Sequence, residues 1–429
     1  MSFGVRTSSF SVLGVIGLAV SLVLGSVVGA SGAHAAPGPG SPLPSADPFY
    51  SYDGSLDGVA PGTVLRSRPM VFRTPTLNTP ITGSQVLYRT TDQFGKGVVT
   101  VATVLRPLTP GPTRLVSYHM AYDALGSQCD PSYTLSGGYT NGTATAEQGV
   151  IAGYLAAGYT VVVPDYEGEK LQWTIGRQSG YAALDGVRAA QGFLRLPRST
   201  PVGLVGYSGG SIPTQFGAEV APRYAPELNI VGAAAGGLPV DLAHNLPYIN
   251  GSAKWAGVIP ALVVAYQRTY RLDTSKFLSA RGRQVAQAVS DECISEFASK
   301  YAGLTSADMV KPPYTGLLDV PQVVRAINDN IMGRSGTPKT KMLLAVGHYN
   351  AIGDTLMITG DVIGLANQYC SRGVDITYRQ LNGLTHQEAF LPFEPLALQY
   401  LTERFAGAPT QSNCGSLPRG NSLAPLPVP

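Results

Sequence analysis

Gly206-Tyr207-Ser208-Gly209-Gly210 follows the apolar run Val202-Gly203-Leu204-Val205 and precedes Ser211-Ile212-Pro213-Thr214-Gln215-Phe216-Gly217-Ala218-Glu219-Val220. That pattern predicts strand, tight turn, helix. In a G-x-S-x-G turn of this kind the outer positions must be glycine, because a Cβ there would collide with the neighbouring strand or helix. The serine oxygen is then held clear of the sheet. Gly209 opens the helix, so a free N–H and the positive end of the helix dipole face the oxygen that turns negative in acyl transfer. A bare G-x-S-x-G is common in loops. The strand before it and the helix after it make Ser208 a candidate nucleophile rather than an idle serine in a glycine-rich turn.

Outward from this turn, strand-like runs occur at Val98 to Arg106, Arg114 to His119, Tyr159 to Pro164, Val202 to Gly206, Ile230 to Ala235, Met342 to Val346 and Val374 to Leu381. Helical stretches alternate with them, most clearly Ala144 to Ala157 and Gly180 to Leu194. Such alternation predicts an α/β chain with a mostly parallel sheet flanked by helices on both faces. Sites in such sheets lie beyond the carboxyl ends of the strands, where Ser208, Asp165 and the loop after His119 all fall. From 238 to 339 the alternation stops, and this stretch is expected to be a mainly helical cap or lid inserted into the sheet domain. Its apolar run Trp255 to Tyr266 reads as a buried helix or as part of a lid that meets an acyl chain; twelve residues broken by Gly257 and Pro260 cannot span a bilayer.

The expected organisation is therefore a leader over 1–35, a linker over 36–47, a first core segment over 48–237, the cap over 238–339, a second core segment over 340–414 and a mobile tail over 415–429. In the leader Arg6 is the sole charge, Val12 to Ala30 is apolar and Ala33-His34-Ala35 offers small residues, so cleavage after Ala35 and secretion are expected in preference to a permanent anchor. Without it the net charge is about +2, with no charge run, which gives no reason to expect a nucleic acid partner. Apolar residues at 44% against 13% charged favour a packed core over disorder. Cys129, Cys293, Cys370 and Cys414 are an even number in an exported chain, so two disulfides are expected, with three pairings open. Their wide spacing argues against a zinc site, and no cofactor is implied.

A serine hydroxyl needs a neutral imidazole to take its proton and an acid to orient that imidazole. In the chain order serine, acid, histidine, His119 and His244 are misplaced, His34 leaves with the leader, and His348 comes straight after a strand with no acid suitably placed between the serine strand and itself. His386, in a loop after Val374 to Leu381, remains. The acid belongs after Met342 to Val346, where Asp354 fits; Asp361 and Asp375 are its competitors. Asp165 and Glu167 precede the serine and are expected to hold loops together. There is no His-Gly-Gly-Gly run, so a second oxyanion donor must come from Tyr118 to Asp123.

Tyr122-Asp123, Cys129-Asp130-Pro131-Ser132-Tyr133, Asp165-Tyr166-Glu167-Gly168, Leu184-Asp185-Gly186-Val187-Arg188-Ala189, Gly206 to Gly210 and Tyr224 to Ala233 together resemble the secretory lipase family, of α/β-hydrolase fold. The likeness spans most of Pro48 to Cys414 and is weak through the cap. It implies Ser208 as nucleophile, Asp354 as acid, His386 as base, and Asp123 and Gly209 as the oxyanion hole. It also implies disulfides Cys129 to Cys293 and Cys370 to Cys414, and a lid with an acyl tunnel. One departure is Pro213, whose missing N–H must be tolerated in the first turns of the helix. The expected function is a secreted triacylglycerol lipase acting on lipid or other esters at a lipid–water interface, with no membrane span after leader removal. Alternatives are a short-chain carboxylesterase, an acyltransferase or a polyester hydrolase with the same triad, and, in a different class, an exported binding protein without activity.

Overall fold

The apolar run Val202–Tyr207 is buried along its whole length, as a parallel strand covered on both faces must be. It is strand β6 of the computed structural model, which describes residues 37–74, 77–109 and 111–429. The expected leader lies outside these residues. Nine strands among the described residues form one sheet, in the order β1-β2-β3-β5-β4-β6-β7-β8-β9. They are β1 (Val64–Thr74), β2 (Leu77–Thr91), β3 (Gly97–Leu105), β4 (Leu115–His119), β5 (Thr160–Pro164), β6, β7 (Ile230–Gly236), β8 (Met342–His348) and β9 (Ile376–Asn382). From β5 to β9 every neighbouring pair is parallel, whereas β1, β2, β3 and β5 run antiparallel in turn.

Register decides where the site lies. His119 pairs with Gly206, Tyr207 with Gly236, and Gly236 with Ala345. His348 ends β8 opposite Asn382 of β9. The loops that follow β4, β6, β7, β8 and β9 therefore leave from one edge of the sheet, beyond the carboxyl ends, where strand order also reverses.

Strands β1 and β2 were not expected from the sequence. On β1 the buried residues Arg68, Met70 and Phe72 alternate with Ser67, Pro69 and Val71, which are exposed or half-buried. An edge strand wetted on one face has this pattern and tolerates proline, and its apolar stretch Met70-Val71-Phe72 is too short to mark a strand.

Between β7 and β8 the chain forms helices Leu242–Ile249, Val258–Tyr270, Ala280–Val289 and Pro321–Asn328. Ile259, Phe277 and Val285 from this stretch belong to the same buried cluster as Leu204, Phe216 and Leu344 of the sheet and its helices. The apolar run of the second helix is thus largely buried. The helix Gly142–Ala156 is capped by Asn141, whose side chain accepts the N–H of Ala144 at 2.9 Å, satisfying one of the N-terminal donors.

Disulfides join Cys129 to Cys293 and Cys370 to Cys414, the pairing that the family resemblance implied. The tail 415–429 has hydrogen-bond partners elsewhere in the chain. Asn421 donates its backbone N–H to Gly360 O at 2.8 Å and its amide to Asp361 at 2.6 Å. Leu426 N–H reaches Asn328 at 3.0 Å, and Leu423 is buried. The linker is docked too, through Tyr133 Oη to Ser41 O and the Ser45–Ser127 contacts. A proline-rich segment without periodicity can still be fixed by partners far away in sequence, and those partners are invisible to a local reading.

Candidate active site

Ser208 sits at the end of β6 with φ +53°, a left-handed backbone that a residue with a Cβ adopts at a cost of about 1–2 kcal/mol. The glycines around it are forced by contact. A Cβ on Gly206 would lie 2.1 Å from Gly210 O, one on Gly210 1.9 Å from His119 O, and one on Gly209 1.8 Å from Asp123 Oδ1. The elbow is therefore packed directly on the loop that follows β4. The helix Ser211–Tyr224 begins at once. Pro213 occupies its third position, where N–H groups have no intrahelical acceptor, so the missing donor costs the helix no bond.

His386 Nε2 lies 2.7 Å from Ser208 Oγ, and His386 Nδ1 lies 2.9 Å from Asp354 Oδ2. Asp354 is fully buried. Its other oxygen accepts the N–H groups of Leu356 at 3.0 Å and Met357 at 2.6 Å, which fixes the carboxylate plane. His386 begins the helix His386–Phe405 behind the N-cap Thr385, its N–H donates to Asp354 O at 2.6 Å, and its carbonyl accepts the Tyr207 hydroxyl at 2.7 Å. The ring is further enclosed by Tyr207 and Trp255, at centroid distances of 5.2 and 5.7 Å. With Nδ1–H directed at the carboxylate, Nε2 is left to accept a proton from Ser208.

The competing candidates are engaged elsewhere. Asp361 pairs with His244 Nδ1 at 3.0 Å, Asp375 accepts the Thr410 hydroxyl, and His348 Nδ1 meets Thr359 Oγ1 at 3.1 Å. His119 is fully buried beneath the elbow between Ser117 and Thr214, and burial drives its pKa down to about 3.

The loop after β4 is held by buried carboxylates. Glu147 accepts the N–H of Ala121 at 2.9 Å, and Glu167 accepts that of Ala124 at 3.1 Å. Asp165 accepts the N–H of Ser132 at 2.9 Å and its hydroxyl at 2.5 Å. Ile294 N–H closes onto Asp123 O at 3.1 Å, beside the Cys129–Cys293 bridge. Asp123 has φ +42°, and Trp173 Nε1 donates to its Oδ1 at 2.5 Å. Burial raises the Asp123 carboxyl to about 6, against the lowering effect of that Trp173 bond. Trp173 and Glu147 were not singled out in the sequence, and Trp255 only as the start of an apolar run. Each is distant along the chain from the residue it supports, and no local motif marks it.

The buried acids carry a consequence for stability. Burial pushes Glu394 up to about 8, Asp165 to about 7 and Glu147 well above the carboxylate range. Above pH 6.5 these groups hold more protons folded than unfolded, so stability falls as pH rises. His244, raised first by its hydrogen bond to Asp361, acts in the same direction. His119 acts oppositely, but its contribution changes only between about pH 3 and 6.5. The expected result is a Tm that declines from pH 6.5 to 8.5, with a shallower slope in Glu394→Gln. A Tm that stays level or climbs over this range would contradict the assignment.

The sequence model of the secretory lipase family matches residues 138–413. The chain belongs to the secretory lipase family. It is 37% identical, over 86% of its own length and 83% of the relative's, to a Mycobacterium tuberculosis (strain CDC 1551 / Oshkosh) protein named "probable inactive lipase". It is 32% identical to Lipase A of Arthroderma benhamiae, over 86% and 81% of the two chains. The structure superposes on that of Candida antarctica lipase A with a TM-score of 0.79 and 27% identity, covering 90% of this chain and 92% of that one. These secretory lipase relatives place the chain among carboxylic ester hydrolases of α/β-hydrolase fold. No helix among the described residues is long and apolar enough to cross a membrane.

Proposed function

We propose that this secretory lipase is an exported serine ester hydrolase working through an acyl-enzyme, with Ser208 as nucleophile, His386 as general base and acid, and Asp354 as orienting acid. The observation that carries this reading is the continuous chain Ser208 Oγ, His386 Nε2, His386 Nδ1, Asp354 Oδ2, with links of 2.7 and 2.9 Å. Ser208 Oγ bonds to the ester carbonyl carbon as its proton passes to His386. The carbonyl oxygen becomes the oxyanion, and the N–H groups of Gly209 and Asp123 stabilise it. The tetrahedral adduct then expels the alcohol, which takes the proton from His386. Water attacks the acyl-enzyme by the same route, returning the proton to Ser208 and releasing the acid.

The substrate class is triacylglycerol or a related ester met at a lipid–water interface. Support comes from the family, and from Leu391, Tyr349 and Ile352, which are exposed on the loops and helix that carry Asp354 and His386. The segment 238–339 acts as the cap that shapes access. Two disulfides suit an oxidising compartment and thus secretion.

The name of the Mycobacterium tuberculosis relative favours a second reading, a binding protein on the same frame. An organophosphonate separates the two. Covalent adduct on the Ser208 peptide, seen by mass spectrometry together with hydrolysis of p-nitrophenyl butyrate, is the expected result; a folded protein that takes up no label and turns over no ester supports the binding reading.

A further inference from the structure

Two cavities meet at Ser208, and they differ in size and chemistry. One, of about 40 Å³, is bounded by Gly209 and Asp123 on the side of the oxyanion donors, and by Leu246, Ile249, Val258 and Leu262 of the two helices that follow β7. All four aliphatic side chains are buried and belong to the main core cluster. The other, of about 540 Å³, is bounded by His386, Tyr207, Trp255 and Phe390, with Lys254 and Gln387 supplying polar groups.

The proton path decides which part of an ester each cavity receives. His386 Nε2 returns its proton to the departing alkoxide, so the alcohol must lie on the imidazole side, in the wide cavity that His386 lines and the narrow one does not. Asp123 lines both cavities, but Gly209 lines only the narrow one, so with the carbonyl oxygen turned to Gly209 the acyl chain is left with the narrow cavity. This cavity is much the smaller of the two, so it limits the acyl chain far more than the wide one limits the alcohol. Its walls are core residues, so lengthening the chain means displacing packed side chains, and cores resist such overfilling.

We propose that this protein is selective for esters of short acids with large alcohols, short-chain glycerides included, and that Leu246 and Leu262 set the acyl limit. The inference rests on the acyl-enzyme reading above. The wide cavity, of a volume usual for sites that hold drug-sized ligands, accepts the alcohol without a matching limit.

A pair of isomeric esters tests it, because octyl butanoate and butyl octanoate have the same atoms and both release primary alcohols. For the full-length protein the expected kcat/KM is at least about tenfold higher for octyl butanoate, one misfitting methylene in an apolar pocket being worth about tenfold or more. Leu246→Ala and, separately, Leu262→Ala should reduce that ratio by raising turnover of butyl octanoate, in samples whose Tm shows them folded. An equal or reversed ratio in the unaltered protein overturns the acyl limit while leaving ester hydrolysis intact. Failure to hydrolyse either isomer, or p-nitrophenyl butyrate, overturns the acyl-enzyme reading and this inference with it. The ratio in the unaltered protein decides the matter even where an alanine variant does not fold.

Discussion

Ser208→Ala is expected to lower kcat for p-nitrophenyl butyrate by about 10⁴- to 10⁶-fold, the range seen when a nucleophile acting as one unit with its base is removed. The loss is chemical and not structural. Alanine has the same Cβ and must adopt the same left-handed backbone at φ +53°, so the strain is unchanged and Tm should move little. Removing the hydroxyl also leaves His386 Nε2 without its 2.7 Å partner, in a cleft wide enough to admit water, so no buried acceptor is stranded. Residual turnover would come from water attacking a bound ester whose carbonyl oxygen is still held by the oxyanion donors. Wild-type kcat in a folded Ser208→Ala protein would remove Ser208 from the reaction.

Asp354→Asn should cost about 10⁴-fold in kcat, for a reason the hydrogen bonds make specific. Asp354 Oδ1 accepts two N–H groups, from Leu356 and Met357, so the amide oxygen of an asparagine must stay there. Its NH2 is then turned toward His386 Nδ1, where Oδ2 accepts at 2.9 Å in the native protein. Facing a donor, Nδ1 becomes the acceptor and the ring proton moves to Nε2, opposite Ser208 Oγ. The imidazole can no longer take the serine proton. Activity in Asp354→Asn should rise with pH above neutrality, as hydroxide replaces the missing base; a kcat within tenfold of wild type at pH 7 would assign the acid role elsewhere.

How much of this was legible beforehand differs by residue. The strand–turn–helix around Ser208 was readable because the chemistry is local: three glycines and a buried strand specify it within ten residues. The order serine, acid, histidine then reduced five histidines to His386, which lies within hydrogen-bonding distance of Ser208. Asp354 followed from being the carboxylate in the loop after β8. What stayed hidden depends on contacts between distant segments. Trp173 is fifty residues from the Asp123 it supports. Strands β1 and β2 carry only the short apolar stretches Met70 to Phe72 and Val86 to Tyr88 among polar residues, and the docking of Asn421 and Leu426 depends on Gly360 and Asn328. Cysteine pairing could be taken only from the family likeness, since spacing left three possibilities open. The volume of the narrow cavity is set by side chains from two helices and the elbow, and no pattern in one dimension encodes it.

The left-handed backbone at Ser208 also bears on how such a chain can change over generations. A glycine there would relieve about 1–2 kcal/mol of strain, offset in part by the greater freedom it gives the unfolded chain, while ending the reaction. Selection for thermal robustness and selection for turnover therefore pull this one position in opposite directions. A lineage released from the need to cut esters has a downhill path out of the strained serine, whereas a chain that keeps it bears a folding penalty that only the chemistry offsets.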